Sequence, residues 1–197
     1  YGERFLALVR PRKMSSGTKK YCGWERKRGA IESLVSKING MPSDLYAISG
    51  DIKLLDGVKY LILLDTDTRP GIDTARKLIG AMLHPLNRPV IDEATRTVIS
   101  GYGVMQPRNT VSLDAAGRSI FSEVFAGQGG FDPYCGCCGD LYQDVFNEGN
   151  FTGKGVLSVE AYTVCLNGRL PPERILSHDL LEGSYLRCGY INGVEFA

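Results

Sequence analysis

The sequence predicts an α/β fold in a single domain over residues 1–197, with a mostly parallel central sheet. Apolar runs typical of strands alternate with segments whose apolar residues recur at helical spacing. Residues 58–67 also contain the uninterrupted apolar run YLILL, which is typical of a strand covered on both faces of a sheet. A chain of 197 residues is long enough for one well-buried core and short for two.

The elements of the first half follow in order. Residues 5–11 form a short apolar run ended by proline and predict a strand. A polar, hairpin-like loop follows at residues 15–17. Residues 25–38 predict an amphipathic helix, because one face collects its apolar side chains, namely Ile31, Leu34, Val35 and Ile38. Asn39 and Gly40 suit its C-terminal cap.

The second half predicts fewer regular elements. In chain order we expect a helix at 71–83, a strand at 98–106 closed by Pro107, and a helix at 119–125. Residues 127–155 are rich in glycine and aromatic side chains without a clear period, and loops this long in a compact domain are usually functional. Residues 157–166 read as ordered again, and the motif SHDLLEG at 177–183 begins a helix.

Composition excludes several classes of protein. The chain is 43% hydrophobic and 23% charged with a formal charge of +1, so nothing indicates disorder or a nucleic-acid partner. Residues 1–37 carry ten Lys and Arg against three Glu. A basic lobe suits an anionic ligand, although a solvated basic face is the commoner explanation. No apolar run approaches the roughly 20 residues that span a bilayer, so we expect no membrane contact by this segment.

Six cysteines are present, three of them in the cluster CGCCG as Cys135, Cys137 and Cys138. The cluster lacks a second, suitably spaced Cys/His pair, so reduced thiols are expected rather than a zinc site. The chain begins and ends within apolar stretches. We therefore expect a piece of a larger protein, incomplete at both ends.

Asp65 and Asp67 follow the apolar run directly and form a DxD motif. Ligands of open α/β sheets bind beyond the carboxyl ends of strands, and side chains at i and i+2 point the same way. Paired carboxylates repel each other unless a cation lies between them, which predicts Mg²⁺ or Mn²⁺ with a diphosphate. The simpler alternative is that these aspartates cap the following helix.

The DxD pattern alone leaves two reactions open. One is phosphoryl transfer from an aspartyl nucleophile, as in haloacid-dehalogenase-like phosphatases. Arg69 stands where that motif has Thr or Val, and no GDxxxD partner follows. The other is glycosyl transfer from a nucleotide sugar, in which the metal binds the diphosphate that leaves.

Longer strings favour the second reaction. The chain resembles the glycosyltransferase region of bacterial cyclic β-1,2-glucan synthases through WERKRGAIESL, LLDTDTRP, HPLNRP, GVMQPR, FAGQGGFDPY, YQDVFNEGNFTGKGV and LSHDLLEG, in that order. This resemblance implies a GT-A-like (nucleotide-diphospho-sugar transferase) fold. It also implies a distant relation to inverting, processive enzymes such as cellulose synthase.

The resemblance implies roles for individual residues. Asp65 and Asp67 match the family's DxD, which binds metal and the UDP diphosphate. Asp179 matches the aspartate that serves as catalytic base, and inversion requires a base on the face opposite the leaving group. The alternative for Asp179 is a helix N-cap, with Glu182 completing a capping box. Further residues are expected to contact nucleotide or acceptor: Lys27, Arg28, Gln106, Arg108, Asp144, Gly153, Lys154 and His178.

The implied activity is transfer of glucose from UDP-glucose to a growing β-1,2-glucan with inversion. The implied partners are the donor, the glucan acceptor and the rest of a larger chain at the cytoplasmic face of the bacterial inner membrane. The family's later Gln-x-x-Arg-Trp-type motif and its opening uridine-binding strand have no counterpart here, so the isolated segment is expected to be inactive. The rival functions are a phosphatase and a non-catalytic nucleotide-binding module.

Overall fold

The computed structural model describes residues 4–110, 116–125, 141–175 and 177–196. Within them strands and helices alternate, so the α/β class is confirmed. The strands are β1 Ala7–Val9, β2 Lys13–Met14, β3 Tyr21–Cys22, β4 Tyr46–Ser49, β5 Tyr60–Leu63, β6 Val90–Asp92, β7 Thr97–Ser100, β8 Val104–Asn109, β9 Gly155–Ser158 and β10 Cys188–Phe196. The helices are α1 Arg26–Ile38, α2 Thr74–Leu83, α3 Ile120–Phe125, α4 Leu141–Phe146, α5 Val159–Cys165 and α6 Asp179–Leu186.

A four-stranded sheet organises the described core, in the order β10-β8-β9-β5. Strand β10 runs parallel to β8, whereas β9 is antiparallel to both β8 and β5. The predicted mostly parallel sheet is therefore a mixed one. The reason is that the connection from β8 to β9 does not cross to the opposite end of the strands. Strand β9 therefore starts where β5 finishes, and Gly155 at its start pairs with Leu63 at the end of β5.

Apolar side chains cover both faces of this sheet. On one face, Ile31 and Val35 of α1 pack with Leu157 of β9 and with α5. On the other face, Leu78 and Met82 of α2 form a second cluster. Strand β5 contributes to both clusters, through Leu61 on the first face and through Tyr60 and Ile62 on the second. The prediction of a strand packed on both faces is confirmed, although β5 lies at the edge of the sheet.

The strand predicted at 98–106 is two strands. The chain turns at Gly101, whose φ of +66° favours glycine, so β7 pairs with β6 while β8 enters the central sheet. Pro107 lies inside β8 rather than closing it. Proline is tolerated there because β9 pairs with β8 only at Val104 and Met105, which leaves one neighbouring strand beyond that point.

The remaining small elements agree with the sequence. The hairpin β2–β3 surrounds the polar loop at 15–17, and α1 ends at the C-cap Asn39 followed by Gly40 at φ +67°. The cluster of Cys135, Cys137 and Cys138 lies outside the described residues. No helix in the described ranges is long and apolar enough to cross a membrane.

Candidate functional site

A cleft of about 530 Å³ lies at the edge of the sheet where β5 ends. The hairpin β2–β3, the start of α1, the loop before β9 and the start of α6 surround it. Its lining includes the side chains or backbone of Lys27, Asp65, Thr152, Gly153, His178 and Asp179. The cleft thus brings Lys27 and Asp179 together, although they are 152 positions apart in the sequence.

Asp65 lies between two lysines in this cleft. One carboxylate oxygen is paired with Lys27 Nζ, and the other lies 3.2 Å from Lys154 Nζ. Lys27 also donates a hydrogen bond to the carbonyl oxygen of Gly153 at 2.7 Å. Partial burial alone would raise the pKa of Asp65, but the hydrogen bonds and positive charges of Lys27 and Lys154 lower it below its usual value. Asp65 is therefore a firmly ionised carboxylate.

Asp67 is exposed, and within the described ranges its carboxylate makes no ion pair. The helix that follows, α2, begins at Thr74 and has Asp73 as its N-cap residue. The alternative that Asp65 and Asp67 cap this helix is therefore wrong. The two carboxylates instead belong to the turn that leaves β5, where the backbone N–H of Asp65 bonds to Thr68 Oγ1 at 3.3 Å.

Asp179 and Gly153 are in direct contact. A Cβ atom added at Gly153 would lie 2.8 Å from Asp179 Oδ1, and the backbone there has a φ of +85°. Glycine is required at this position on both counts. Because Lys27 bonds to the carbonyl of Gly153 and to Asp65, this one loop residue connects the DxD turn to the start of α6.

Asp179 is the first residue of α6, after the N-cap residue His178, whose side chain makes no capping hydrogen bond. The alternative of a capping box formed by Asp179 and Glu182 is therefore wrong. The helix is held close to the loop before β9 because Gly183 lies against Phe151, where an added Cβ would come within 2.8 Å of the Phe151 Cβ. The carboxylate of Asp179 is thus free to face the cleft.

His178 lies in the cleft wall beside two carboxylates. Its Nδ1 is 3.4 Å from Asp179 Oδ1 and 3.2 Å from Glu182 Oε2. Burial would lower the pKa of His178, but its direct interaction with Glu182, followed by the charges of Glu182 and Asp179, outweighs burial, so the pKa is raised above its usual value. The expected binding role of His178 remains a prediction, although its position at the cleft is compatible with it.

Six predicted site residues do not line the cleft. Two of these, Asp67 and Lys154, lie next to it, on the turn after β5 and beside the Asp65 carboxylate. Arg28 is buried and pairs with Glu25 at 2.6 Å and Glu32 at 3.3 Å. The side chain of Gln106 is fully buried and accepts a hydrogen bond from the backbone N–H of Thr152 at 2.6 Å, so it supports the loop that carries Gly153. The other two lie away from the cleft: Arg108 is partly buried, 3.3 Å from Glu195, and Asp144 is exposed on α4.

The rim of the cleft contains contacts that the sequence did not indicate. Glu173 accepts hydrogen bonds from the backbone N–H of Ser16 at 3.0 and 3.1 Å, and the backbone N–H of Glu173 donates to Glu25. Hydrogen bonds from Ser16 lower the pKa of Glu173. These bonds attach the hairpin loop to the segment before α6 and so form one side of the cleft.

Glu182 is the buried acidic residue that sequence reasoning treated only as a possible cap. It is 2% exposed and lies against His178. The signal was present in the sequence, since His178 and Glu182 are four residues apart at a predicted helix start and such residues share a face. What the sequence could not show is that this face points inward.

The arrangement supplies the groups that a charged phosphate ester and its leaving group require. The ammonium groups of Lys27 and Lys154 contact the Asp65 carboxylate after the end of β5, and the exposed Asp67 follows two residues later. The Asp179 carboxylate lies in the same cleft, at the start of α6. Carboxylate oxygens at Asp65 and Asp67 are donors that Mg²⁺ and Mn²⁺ prefer. A cation held by Asp65 would take the place of at least one lysine contact, and that lysine could then bind phosphate.

The chain is similar in sequence to a known protein. No family model matches the chain. Over 193 residues the chain is 41% identical to the cyclic beta-(1,2)-glucan synthase NdvB of Rhizobium meliloti (strain 1021). The match covers 98% of this chain, which spans about 7% of the length of that relative. The resemblance inferred from the sequence is thereby confirmed: over nearly its whole length, this chain is homologous to a segment of a cyclic beta-(1,2)-glucan synthase.

Proposed function

We propose that this segment contains the donor site of a glycosyltransferase in cyclic glucan synthesis. In this proposal it transfers glucose from UDP-glucose to a 2-hydroxyl of a growing β-1,2-glucan, with inversion. The fold would be GT-A-like. The segment would act within a larger chain at the cytoplasmic face of the bacterial inner membrane. The relative's name supports glucan synthesis, while donor, linkage and stereochemistry are our proposal.

One observation carries the proposal: Asp65 and Asp179 line the same cleft and are connected through Lys27 and Gly153. An inverting transferase needs a site for the leaving diphosphate and, opposite it, a base for the attacking hydroxyl. The described cleft contains a charged group of each kind. The phosphatase alternative is disfavoured by Arg69, which stands where that motif has Thr or Val.

The residues around Asp65 suit the donor's diphosphate. Lys27 and Lys154 would bind phosphate oxygens through charge-assisted hydrogen bonds. Asp65 and Asp67 would hold Mg²⁺ or Mn²⁺, which supplies positive charge to the departing UDP. Gly153, with no side chain, leaves room for the donor or acceptor beside Asp179.

Asp179 would act as the general base. The acceptor hydroxyl attacks the anomeric carbon, its proton passes to the Asp179 carboxylate, and the bond from that carbon to the diphosphate oxygen breaks as UDP leaves. General-base catalysis typically contributes about 10²–10⁴-fold in rate. A base in this position needs correct placement more than a strongly shifted pKa, and the contact with Gly153 supports such placement.

Two substitutions separate these roles. Asp179→Asn should reduce glucan synthesis by the full-length protein by at least about 10²-fold, because the amide cannot accept the proton. UDP affinity, measured by calorimetry with Mn²⁺, should stay within about twofold of wild type. Asp67→Ala should remove the Mn²⁺-dependent part of UDP binding. Asp73→Asn, at the exposed start of α2, is the matched control and should change neither quantity.

The same measurements can reject the proposal. Undiminished glucan synthesis by Asp179→Asn would exclude this residue as the base. UDP binding that does not respond to Mn²⁺, in wild type or in Asp67→Ala, would exclude the metal site. Trapping of Asp65 by beryllofluoride, without affinity for UDP, would favour the phosphatase instead.

A further inference from the structure

A small group of charges lies directly behind the cleft wall. Glu182 on α6 is 2% exposed, and its Oε1 finds no hydrogen-bond partner in the described part of the chain. Its Oε2 lies 3.2 Å from His178 Nδ1, which in turn lies 3.4 Å from Asp179 Oδ1. The Nδ1 atom is outside hydrogen-bond geometry for both oxygens, so these contacts are between charges.

We propose that Glu182 and His178 form a charge pair that holds the Asp179 carboxylate against Gly153. Both are then positioning residues for Asp179. The base role of Asp179 rests on the proposed function above, whereas the charge pair itself does not.

Burial explains why Glu182 needs a positive partner. An uncompensated buried carboxylate is strongly unfavourable, and such groups in proteins are paired or neutralised. The buried Arg28 does not fill this role, because its guanidinium is within ion-pair distance of Glu25 and Glu32 instead. The imidazolium of His178 is the cation within 4 Å of Glu182 among the described residues.

The same imidazolium orients Asp179. A positive charge 3.4 Å from Oδ1 attracts that oxygen and so restricts rotation of the Asp179 carboxylate. Three charged groups face His178, namely Glu182 and Asp179 from α6 and Arg28 from α1. Burial and the charge of Arg28 oppose the imidazolium, the two carboxylates favour it, and the net effect is a raised pKa of His178.

A metal ion is the competing occupant, since donor atoms of His178, Asp179 and Glu182 lie within 4.8 Å of one another. Two features disfavour it. The group lies at the N-terminus of α6, where the helix dipole is positive, and Arg28 adds a further positive charge. A single proton adds less charge at this position than a divalent cation would.

The charge pair can be tested by NMR because the chain has two histidines, His84 and His178. In wild-type protein we expect the titration midpoint of His178 to lie above the ordinary imidazole value of 6.5. Glu182→Gln should lower the titration midpoint of His178 by about one pH unit. Glu160→Gln, an exposed glutamate in the first turn of α5, is the matched control and should leave it unchanged.

Several outcomes would overturn the inference. One is a titration midpoint for His178 at or below the ordinary imidazole value of 6.5 in the wild-type protein, a measurement that needs no variant to fold. Another is a midpoint that does not respond to Glu182→Gln. A third is stoichiometric Zn²⁺ binding that abolishes the His178 titration in wild type but not in Glu182→Gln, since a metal would then occupy the group.

The pH profile of the full-length protein tests the positioning role. Loss of the imidazolium should lower kcat with little effect on KM for UDP-glucose, so the decline of kcat at high pH should move about one unit lower in Glu182→Gln. Glu182→Asp, which retains the charge, should restore part of kcat. An equal fall at every pH would reduce the pair to a structural role. Activity in Asp179→Asn would reject the base but leave the NMR result unaffected.

Discussion

Two charged groups of residues flank the cleft and differ in their access to solvent. The cleft cluster consists of Lys27, Asp65 and Lys154, whose side chains are between about a quarter and two fifths exposed. The buried cluster consists of Arg28, His178 and Glu182, and the side chains of Arg28 and Glu182 are 3% exposed. Lys27 and Arg28 are consecutive in α1, yet one points into the cleft and the other into the interior.

This difference teaches which charges can serve a ligand. Solvent-exposed ion pairs contribute little to stability, so their partners can be exchanged for a phosphate or a metal ion at small cost. Buried pairs cannot open without leaving a desolvated charge, and so they hold a geometry instead. The cleft cluster is thus suited to binding, and the buried cluster to support.

The strongest test of this contrast is removal of the buried carboxylate. Glu182→Ala should lower the free energy of unfolding by about 3 kcal/mol, because it removes the buried partner of His178 and opens a cavity. Urea unfolding followed by circular dichroism measures the change. The control Glu160→Ala, on the surface of α5, should alter it by less than about 0.5 kcal/mol. Equal effects of the two substitutions would contradict the contrast between the clusters.

Gly153 lies between the two clusters, and its replacement should have the next largest effect. Gly153→Ala requires a positive φ from alanine and brings a Cβ within 2.8 Å of Asp179 Oδ1. The expected loss of stability is about 2 kcal/mol, combining backbone strain with displacement of the carboxylate. Gly168→Ala is the matched control, because Gly168 also has a positive φ, +64°, but no atom within 4 Å of an added Cβ.

The difference between these two glycine variants isolates the contact with Asp179. Gly168→Ala should lose about 1 kcal/mol through backbone strain alone. Gly153→Ala should in addition shift the imidazole signals of His178, since Asp179 lies beside that ring. A Gly153→Ala protein as stable as Gly168→Ala, with unchanged His178 signals, would show that Gly153 and Asp179 are not packed together.

Much of this fold could be predicted from local patterns. Helical spacing located α1 and α2, and the apolar run located β5 with its two aspartates at the strand end. These features depend on neighbouring residues alone. The direction of β9 could not be predicted in this way, because it depends on where a connection of more than forty residues returns to the sheet.

The candidate site was predictable only in part for the same reason. Motif matching indicated Asp65, Gly153 and Asp179, and all three line one cleft. It also indicated Gln106, but the side chain of this residue is buried and supports the loop instead of lining the cleft. The inward direction of Arg28 depends on Glu25 and Glu32 packing around it, which no single motif contains.

The smallest expected effect concerns the cleft cluster and its dependence on pH. The pKa of Asp65 is lowered in the folded chain, so its contribution to stability is present above the unfolded pKa of 3.8 and is lost as the pH falls below that value. Because the Asp65 side chain is more than a third exposed, solvent screening limits this contribution to less than about 1 kcal/mol.

Wild type should therefore exceed Asp65→Asn slightly in stability at pH 7, and the gap should close below about pH 4. Urea midpoints at several pH values measure the gap, and raising the salt concentration should shrink it. The control is Asp67→Asn, two residues away with no ion pair in the described ranges, which should show no such gap. A gap of several kcal/mol for Asp65→Asn would mean that the cleft cluster has a structural role too.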